Sequence, residues 1–524
     1  MNETALEAPP LTEDLFSSAD LEQMAGLGLA PAEAARQIEL FRNPPPYTRV
    51  LRPCTLDDGV RTLSEADQPA LVERCREAAR QGRLGRLVPA SGAATRMFKA
   101  LLAYLNEEDK EPSKEVRTFF DNLPRFAFRD ALADAMAQDG HDLEDALRNG
   151  DLRTVLSYLL TGKGLGYADL PKGLLLFHRY PDGPRTPFEE HLVEAAETLR
   201  DESGACRLHF TVSPEHEQRF RDLLASLEGK HEARFDVTFS HQKHSTDTIA
   251  VDPDNRPFRQ EDGTFLFRPG GHGALLDNLN DLGIQGWDAV QLKNIDNVVP
   301  DSRKPLINRW KELLGGYLVT LQERAFRYLD RLEWLEGSED EGKTGELLDE
   351  VSRFLAEDLS RPLPPTLANA GPEERRRFLI TSLDRPLRVC GVVRNQGEPG
   401  GGPFWVESST GGISPQIVET PQIDPESPEQ QAILKASTHF SPVDIVCGLK
   451  DRHGKPYDLH PFVDPATVFI ASKSHEGRPL KALERPGLWN GSMAGWNTVF
   501  VEVPDATFAP VKTVLDLLRP EHQG

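Results

Sequence analysis

The chain has 524 residues, of which 60 are basic and 83 acidic, so its formal net charge is −23. This length predicts about two to four domains, and the acidic balance argues against a nucleic-acid partner, which would need a basic surface. Five scattered cysteines without a CxxC pair indicate neither a disulfide framework nor a zinc site, and the lack of an apolar leader or a membrane-length apolar run predicts a cytoplasmic protein without a membrane partner.

The first part of the chain is predicted to be helical. Residues 1–82 form an N-terminal helical region in this interpretation, because apolar residues recur at helical spacing after an N-cap-like segment at 11–14 and again at 68–81. A short strand is expected at 84–88. A helical pattern then continues over about 98–160. It predicts a helical insertion at 100–165 within the α/β region that begins at residue 83.

The predicted strand at 84–88 ends in a small-residue loop. A strand, a glycine loop and a helix in succession let backbone N–H groups and the positive end of the helix bind phosphates. Arg96 could add a bidentate contact to a phosphate. The alternative is a plain strand-to-helix turn, because the loop lacks the second glycine of G-x-G. The candidate nucleotide-binding residues are Ala90, Ser91, Gly92, Ala93, Ala94 and Thr95.

Strands and helices alternate from residue 174 to residue 292. Strands are predicted at 174–178, 206–212, 235–239 and 289–292, and helices at 187–200 and 214–227. This alternation predicts βαβ units and a mostly parallel α/β sheet. The predicted organisation is an α/β core at 83–304, a helical segment and linker at 305–384, and a β-rich region at 385–524.

Three segments of this core carry polar groups suited to a ligand. Lys172, between a proline and a glycine, could neutralise a transferring phosphoryl group, although it could equally be a surface turn lysine. Gln242 follows a strand and offers both a donor and an acceptor, as base recognition requires. His241 and His244 near Asp247 leave a metal site open as an alternative, although their spacing is not a familiar ligand pattern.

The glycine-rich turn 267–276 and the segment 292–298 mark a further candidate site. Gly271 allows backbone to approach a ligand closely, and His272 stands beside it. Asp296 follows an apolar strand and could hold Mg²⁺, or it could form a structural turn. Asn294 is expected to face the same way as Asp296, because strand side chains alternate with a period of two.

Lys512 is predicted to open a final helix at 511–518. A cation at that position opposes the helix dipole unless an anion offsets it, which hints at a functional role. The alternative is an ordinary lysine of an amphipathic helix. The loop at 397–403 is open to two interpretations, a ligand loop or a flexible turn.

Taken in order, these segments resemble the UDP-sugar pyrophosphorylases, which are nucleotidyltransferases with a GT-A-type sheet. The family's L-x-x-G-x-G-T-R-[ML] loop is resembled by residues 87–97, and its P-K-G lysine by 171–173. Its Gln and P-P-G-H-G segment are similar to Gln242 and 269–273. Its metal-binding V-D-N is similar to 295–297, and its P-V-K-x-T-x-D-L-L segment to 510–518. As a whole, the chain is more similar to an uncharacterised bacterial family of DUF4301 type.

The resemblance implies a Mg²⁺-dependent nucleotidyltransferase whose partners are a nucleoside triphosphate, with UTP favoured, and a sugar 1-phosphate. It implies that the products are a nucleotide-sugar and pyrophosphate, and that Asp296 holds the metal. Two departures from the family are the alanine in place of the second loop glycine and the long helical segment between loop and Lys172. The implied catalytic residues are Arg96, Lys172 and Lys512; the implied base contacts are Gln242 and Gly271; the implied sugar-phosphate contacts are His272, Asn294 and Asn497.

Two other functions remain open. The missing second glycine motivates a relative that binds a nucleotide-sugar without catalysis. A glycosyltransferase on a GT-A-type sheet would usually carry a D-x-D metal motif, and Asp252-x-Asp254 has those letters. That motif lies in a proline-rich turn that favours a structural interpretation.

Overall fold

The computed structural model describes residues 15–107, 111–335, 341–367, 370–397, 400–407 and 412–523. The predicted N-cap at 11–14 lies outside these residues. The helices of the described residues are α1 (Ser18–Leu27), α2 (Pro31–Arg42), α3 (Gln68–Arg80), α4 (Lys99–Asn106), α5 (Lys114–Asp121), α6 (Arg129–Gln138), α7 (Leu143–Arg148), α8 (Leu152–Leu160), α9 (Pro187–Thr198), α10 (Glu217–Ser226), α11 (Leu275–Ile284), α12 (Lys304–Trp334), α13 (Glu341–Arg353), α14 (Pro372–Leu383) and α15 (Pro428–Lys435).

Strands occur in both the predicted core and the region beyond it. They are β1 (Val50–Pro53), β2 (Thr55–Leu56), β3 (Gly59–Arg61), β4 (Leu84–Pro89), β5 (Ala205–Thr211), β6 (Arg234–Ser240), β7 (Thr248–Ile249), β8 (Phe267–Arg268), β9 (Ala289–Lys293), β10 (Leu387–Arg394), β11 (Gly401–Glu407), β12 (Ile413–Glu419), β13 (His439–Gly448), β14 (Phe469–His475), β15 (Arg478–Glu484) and β16 (Asn497–Glu502). Among the described residues, no helix is long and apolar enough to cross a membrane.

A mixed, mostly parallel sheet forms the centre of the fold. Within the described residues it has nine strands, in the order β2-β3-β16-β10-β13-β9-β4-β5-β6. Neighbouring strands are parallel except around β13, which is antiparallel to both β10 and β9. The predicted α/β fold class is therefore confirmed. The carboxyl ends of β9, β4, β5 and β6 lie at one edge, which is where open α/β sheets bind ligands.

Helices cover both faces of this sheet, which explains why its central strands β4, β5, β9 and β13 are almost continuously buried. Leu84 and Val88 of β4 pack on one face against α9 and α12, whereas Leu87 packs on the other face against α11. The alternation follows from the two-residue period of a strand. Gly85 lies where a Cβ would come within 2.1 Å of the Trp287 ring, so the close approach of that ring to the strand requires glycine.

The helical insertion has a core of its own. Helices α4 to α8 enclose a cluster of aromatic and aliphatic side chains that includes Phe119, Phe126 and Phe128. Val511, Val514 and Leu517 belong to the same cluster. The helical pattern predicted for 98–160 is thus present but divided among several helices, and the insertion packs directly against the segment that carries Lys512.

Two predicted elements are wrong. Residues 174–178 form no strand; Lys172–Leu174 is a single 3₁₀ turn, and His178 makes one bridge to Arg185. Leu175 and Phe177 are apolar because they fill the core of the insertion. Residues 511–518 form no α-helix but a 3₁₀ turn at Val514–Leu518, since the apolar spacing of three residues suits a 3₁₀ turn as well as an α-helix.

The two ends of the described chain meet. Strand β1 pairs with β11, and β3 pairs with β16, so the region predicted to be helical over 1–82 also contributes strands. Of the loop at 397–403, residues 398–399 lie outside the described part, while 401–403 belong to β11. These pairings join the predicted N-terminal and C-terminal regions through two sheets, the nine-stranded sheet and a three-stranded sheet in the order β1-β11-β12.

Candidate functional site

Asp296 lies just beyond the carboxyl end of β9 and contacts two lysines. Lys172 donates from Nζ to Asp296 Oδ2 over 2.7 Å, and Lys512 donates to the same oxygen over 3.2 Å. Lys172 Nζ also donates to the carbonyl of Val511 at 2.7 Å. The side chain of Lys172 is 15% exposed and that of Lys512 is 58% exposed. Lys172 therefore forms the floor of the site, and Lys512 is open to an incoming ligand.

Positive charge exceeds negative charge at this point. Burial lowers the pKa of Lys172, and the neighbouring Lys512 and Arg96 lower it further, against the opposing effect of Asp296. Burial alone would raise the pKa of Asp296, but the two lysines hold it below its ordinary value. One carboxylate thus stands among three cations. Such a group suits a ligand with several negative charges, such as a phosphate chain.

Backbone contacts join Lys172 to the small-residue loop despite the long insertion between them. Pro171 forms a bridge with Ala93, and the N–H of Lys172 donates to the carbonyl of Gly92 over 3.4 Å. Gly173 allows this turn to pack closely, since a Cβ there would lie 2.9 Å from the Phe220 ring and 3.2 Å from Ile295. The insertion therefore leaves and returns at neighbouring points, and the site remains continuous.

The loop after β4 differs from the predicted phosphate cradle in one respect. A 3₁₀ turn at Ala94–Arg96 follows the loop, and α4 begins only at Lys99, so the α-helix does not begin directly after the loop as predicted. Ala94, which stands in place of the second glycine, begins this 3₁₀ turn and is not among the described residues with a positive φ, so the alanine causes no strain. Ser91, Gly92, Ala93, Thr95 and Arg96 are exposed, whereas Ala90 and Ala94 are buried.

Asn297 holds the Lys512 segment against Asp296. Its Oδ1 accepts the N–H of Ala509 over 3.0 Å, and the N–H of Val511 donates to the carbonyl of Asp296 over 3.1 Å. Lys512 does not begin a helix, so the predicted conflict between its positive charge and a helix dipole does not arise. Its N–H donates to Asp516 Oδ2 over 2.9 Å. The sequence interpretation missed the role of Asn297, although its position directly after Asp296 was a signal.

Asn294 does not follow the strand rule on which its prediction was based. Strand β9 ends at Lys293, and residues 294–297 form a turn in which the N–H of Asn297 donates to the carbonyl of Asn294 over 3.2 Å. The two-residue period of a strand does not extend through a turn, so it gives no reason for the side chains of Asn294 and Asp296 to point the same way. Asn294 is half-buried near the site.

Gln242 follows β6 at the same edge of the sheet. Its Nε2 is buried and finds no hydrogen-bond partner among the described residues, which leaves a donor for a ligand. Asn278 of α11 donates to Ser240 Oγ and to the carbonyl of His241, and so fixes the backbone ahead of Gln242. Gly270 lies against the carbonyl of Thr246, which places Gly271 beside the segment that contains Gln242.

The metal site considered for His241 and His244 does not form. His241 contacts Glu217 at 2.6 Å, and His244 contacts Asp247 at 3.0 Å, so the two rings face different carboxylates. No cluster of three or more His, Cys, Asp or Glu suited to a metal occurs in the part of the chain that the structure describes. A divalent cation near Asp296 would therefore depend on ligands that a substrate supplies.

His272 lies apart from the lysine contacts, in a second polar group. Its ring stacks on Trp489 with centroids 4.0 Å apart, and its Nδ1 accepts the N–H of Leu488 over 3.0 Å. Nε2 lies 3.5 Å from Glu419 Oε1. Burial would raise the pKa of Glu419, but the contacts with His272 and Trp489 lower it below its ordinary value. An aromatic ring beside an ionised carboxylate and an imidazole suits a polar ligand with an apolar face.

Replacement of Gly273, which follows His272, is expected to destabilise the folded protein. A Cβ at Gly273 would lie 2.2 Å from the carbonyl oxygen of Pro486, which is backbone and cannot rotate away. We expect Gly273→Ala to lower the free energy of unfolding by about 1–3 kcal/mol in a urea titration. Gly26→Ala is the control, because a Cβ there would meet no described atom within 4 Å beyond the backbone of its own helix, and it should leave stability unchanged or slightly higher. Equal effects of the two variants would contradict the packing argument.

Asn497 is a wrong prediction. It begins β16 level with Leu387 of β10, and therefore lies at the edge of the sheet opposite Asp296. Its Oδ1 accepts from Arg361 over 3.0 Å, and its Nδ2 donates to the carbonyl of Ser382 over 3.0 Å. The side-chain amide thus joins α14 to the sheet. These contacts are structural, and Asn497 does not lie where the sugar phosphate was expected to bind.

The solved structures that are similar to this chain include two from Trypanosoma brucei. Uridine diphosphate N-acetylglucosamine pyrophosphorylase from Trypanosoma brucei, in complex with inhibitor, aligns with 96% of this chain and 79% of its own, at 12% identity and a TM-score of 0.49. UDP-glucose phosphorylase from the same organism aligns with 95% of this chain and 77% of its own, at 13% identity and a TM-score of 0.42. No curated protein matches the sequence. The family model described as "Domain of unknown function (DUF4301)" matches residues 17–523, and the chain therefore belongs to the DUF4301 family.

Proposed function

We propose that this protein is a nucleotidyltransferase that joins a nucleoside triphosphate to a sugar 1-phosphate and releases pyrophosphate. The observation that carries the proposal is the convergence of Lys172 and Lys512 on Asp296 beside the loop at 90–97. In this reaction a sugar-phosphate oxygen attacks the α-phosphate, and the bond from that phosphorus to the pyrophosphate oxygen breaks. The chemistry needs positioning and charge neutralisation rather than a covalent protein intermediate.

Each residue of the group has a role in the proposed reaction. Arg96 and Lys172 would neutralise the departing pyrophosphate, and Lys512 would hold the sugar phosphate or the α-phosphate. On binding, the phosphates would take up lysine N–H groups that now contact Asp296. Once the phosphates have taken up the lysines, the single carboxylate of Asp296 would fit Mg²⁺, which is commonly held by one or two carboxylates together with substrate phosphates. Bound there, Mg²⁺ would offset charge on the phosphates as the leaving group departs.

The base is assigned to the other end of the same edge. Gln242 follows β6, which is two strands from β4, so it lies roughly 10 Å along the edge from the loop. This separation suits a nucleotide whose phosphates lie at the loop and whose base reaches the unpaired Nε2 of Gln242. UTP is favoured because the motifs resemble those of UDP-sugar pyrophosphorylases. Gly271, in the turn that precedes α11, is proposed to contact the base. His272 of the same turn and Asn294, in the turn that follows β9, are proposed to lie near the α-phosphate or the sugar.

Two alternatives are disfavoured by specific contacts. A non-catalytic nucleotide-sugar binder was motivated by the missing glycine, but the loop adopts a backbone that needs no glycine at Ala94. A glycosyltransferase would need Asp252 and Asp254 for metal. Asp252 Oδ1 instead accepts the N–H groups of Asp254 and Arg256, both over 2.9 Å, which is a structural turn.

A ligand screen tests the proposal. We expect the melting temperature of the purified protein to rise with one nucleoside triphosphate and Mg²⁺, because ligands that bind the native state stabilise it. Pyrophosphate release should then require a sugar 1-phosphate as well. A rise with finished nucleotide-sugars alone would favour the non-catalytic binder or the glycosyltransferase. No rise with any nucleotide or nucleotide-sugar would contradict the proposal.

A further inference from the structure

Two buried histidines connect the segment of Lys172 with the segment of Lys512. His178 is 1% exposed and His522 is 3% exposed. Nε2 of His178 lies 3.0 Å from Nδ1 of His522, and the two rings are close to parallel, at 18°. Neither histidine contacts Asp296 in the hydrogen bonds of the described residues. Their contact therefore needs an explanation beyond direct binding of substrate.

His178 is fixed in orientation on its other side. Its Nδ1 lies 2.8 Å from Glu190 Oε1, which also accepts from the hydroxyl of Tyr180 over 2.7 Å. Glu190 pairs in addition with Lys304, and both of these side chains are buried. A ring nitrogen that faces a carboxylate donates to it. His178 is thus held by α9 and α12, and it presents Nε2 to His522 in one direction.

His522 lies beside the Lys512 segment. It lines the same cavity as Ala509 and Pro510, and its ring hydrogen-bonds to the backbone of Ala509. Burial outweighs this bond and lowers the pKa of His522 to about 3. Ala509 is in turn held by Asn297, next to Asp296. His522 therefore bridges the backbone just ahead of Lys512 and the ring just beyond the Lys172 turn.

We propose that His522 is a positioning residue that holds the two lysine segments in register, so that Lys172 and Lys512 meet at one oxygen of Asp296. The effect on turnover rests on the proposed function, whereas the effect on local structure does not. Ala509 and Val511 each donate a backbone N–H to the turn that contains Asp296. Without the ring of His522, these two N–H groups should open more often, and Lys512 should lose its fixed distance from Lys172.

Hydrogen exchange of the full-length protein tests the clamp without any substrate. In His522→Leu, the amides of Ala509 and Val511 should exchange at least about tenfold faster, since local opening sets their exchange rate. His209→Leu is the matched control, because His209 is 4% exposed and bonded on both nitrogens, to Thr238 and Ser240 of β6. A rise in His522→Leu that is equally large throughout the chain, or no larger than in His209→Leu, would overturn the proposal.

A second variant and a kinetic readout complete the test. His522→Gln keeps a side chain that can hydrogen-bond to the backbone of Ala509 but loses the ring contact with His178, so exchange at Val511 should be intermediate between wild type and His522→Leu. If His522→Leu does not fold, exchange at wild-type rates in His522→Gln overturns the clamp. With an active wild type, His522→Leu should lower kcat with KM for the nucleotide nearly unchanged, and His522→Gln should recover part of it. Localised exchange in a protein that releases no pyrophosphate would retain the clamp and reject the proposed function.

Discussion

Replacing Lys172 with alanine is expected to lower the turnover of nucleotidyl transfer by about a hundredfold or more. Loss of one donor that faces developing charge in a buried site commonly costs a factor of about 10²–10³. Lys172 is the less exposed of the two lysines, and its ammonium contacts both Asp296 and the carbonyl of Val511. The expected result is a fall in kcat in a pyrophosphate-release assay, with a smaller change in KM for the nucleotide.

The controls for Lys172 separate chemistry from folding. Lys172→Ala also leaves the carbonyl of Val511 without this donor, so its melting temperature must be measured beside its turnover. Lys163→Ala removes an exposed lysine that lies over the Tyr158 ring in the insertion and should retain full turnover. Near-normal turnover in both Lys172→Ala and Lys512→Ala, with intact folding, would contradict the proposed mechanism.

Asp296→Asn is expected to abolish the dependence of activity on Mg²⁺ and to reduce turnover to a similar extent. An amide keeps the shape of the side chain and removes its charge, so both lysines lose their anion and the metal loses its only proposed protein ligand. Asp288→Asn is the matched control, since Asp288 precedes the same strand at the opposite edge and pairs with Arg83. Retention of Mg²⁺-dependent turnover in Asp296→Asn would contradict the assignment of the metal.

The same variant should change the response of stability to acid. The folded-state pKa of Asp296 lies below its ordinary value of 3.8 because the two lysines favour the ionised form. This contribution to stability is therefore present above that ordinary value and is lost as the pH falls through the folded-state pKa. The wild type should lose more stability than Asp296→Asn below about pH 4 in urea titrations. Parallel pH curves for the two proteins would show that Asp296 is not held by the lysines.

Much of the sheet could be predicted from the sequence because its strands are short, apolar and separated by amphipathic helices. The strands at 205–211, 234–240 and 289–293 lie within a residue or two of their predicted positions. The grouping of loop, Gln242 and Asp296 at one edge follows from parallel strands, since residues that follow parallel strands meet at the same edge. These features depend on local pattern, which a single sequence displays.

The wrong predictions of secondary structure concern apolar residues that pack into a core without forming the predicted strand or helix. Leu175 and Phe177 look like strand residues, but they fill the core of the insertion. Val514 and Leu517 do the same from a 3₁₀ turn, and Val511 does so from the segment just before that turn. Asn497 was misplaced because its position along β16 depends on pairing with β10, which the sequence does not display. The His178–His522 contact depends in the same way on a distant part of the chain.

The antiparallel strand β13 has a consequence for how the molecule can fold. It fills the gap between β9 and β10, and it emerges from the ribosome long after β9, whose residues are all buried in the finished sheet. Until β13 pairs with it, β9 is an open apolar edge of the kind that invites aggregation during synthesis. A fragment ending near residue 304 would keep that edge permanently exposed. The predicted 83–304 core is therefore expected to need its later strands in order to remain monomeric and folded.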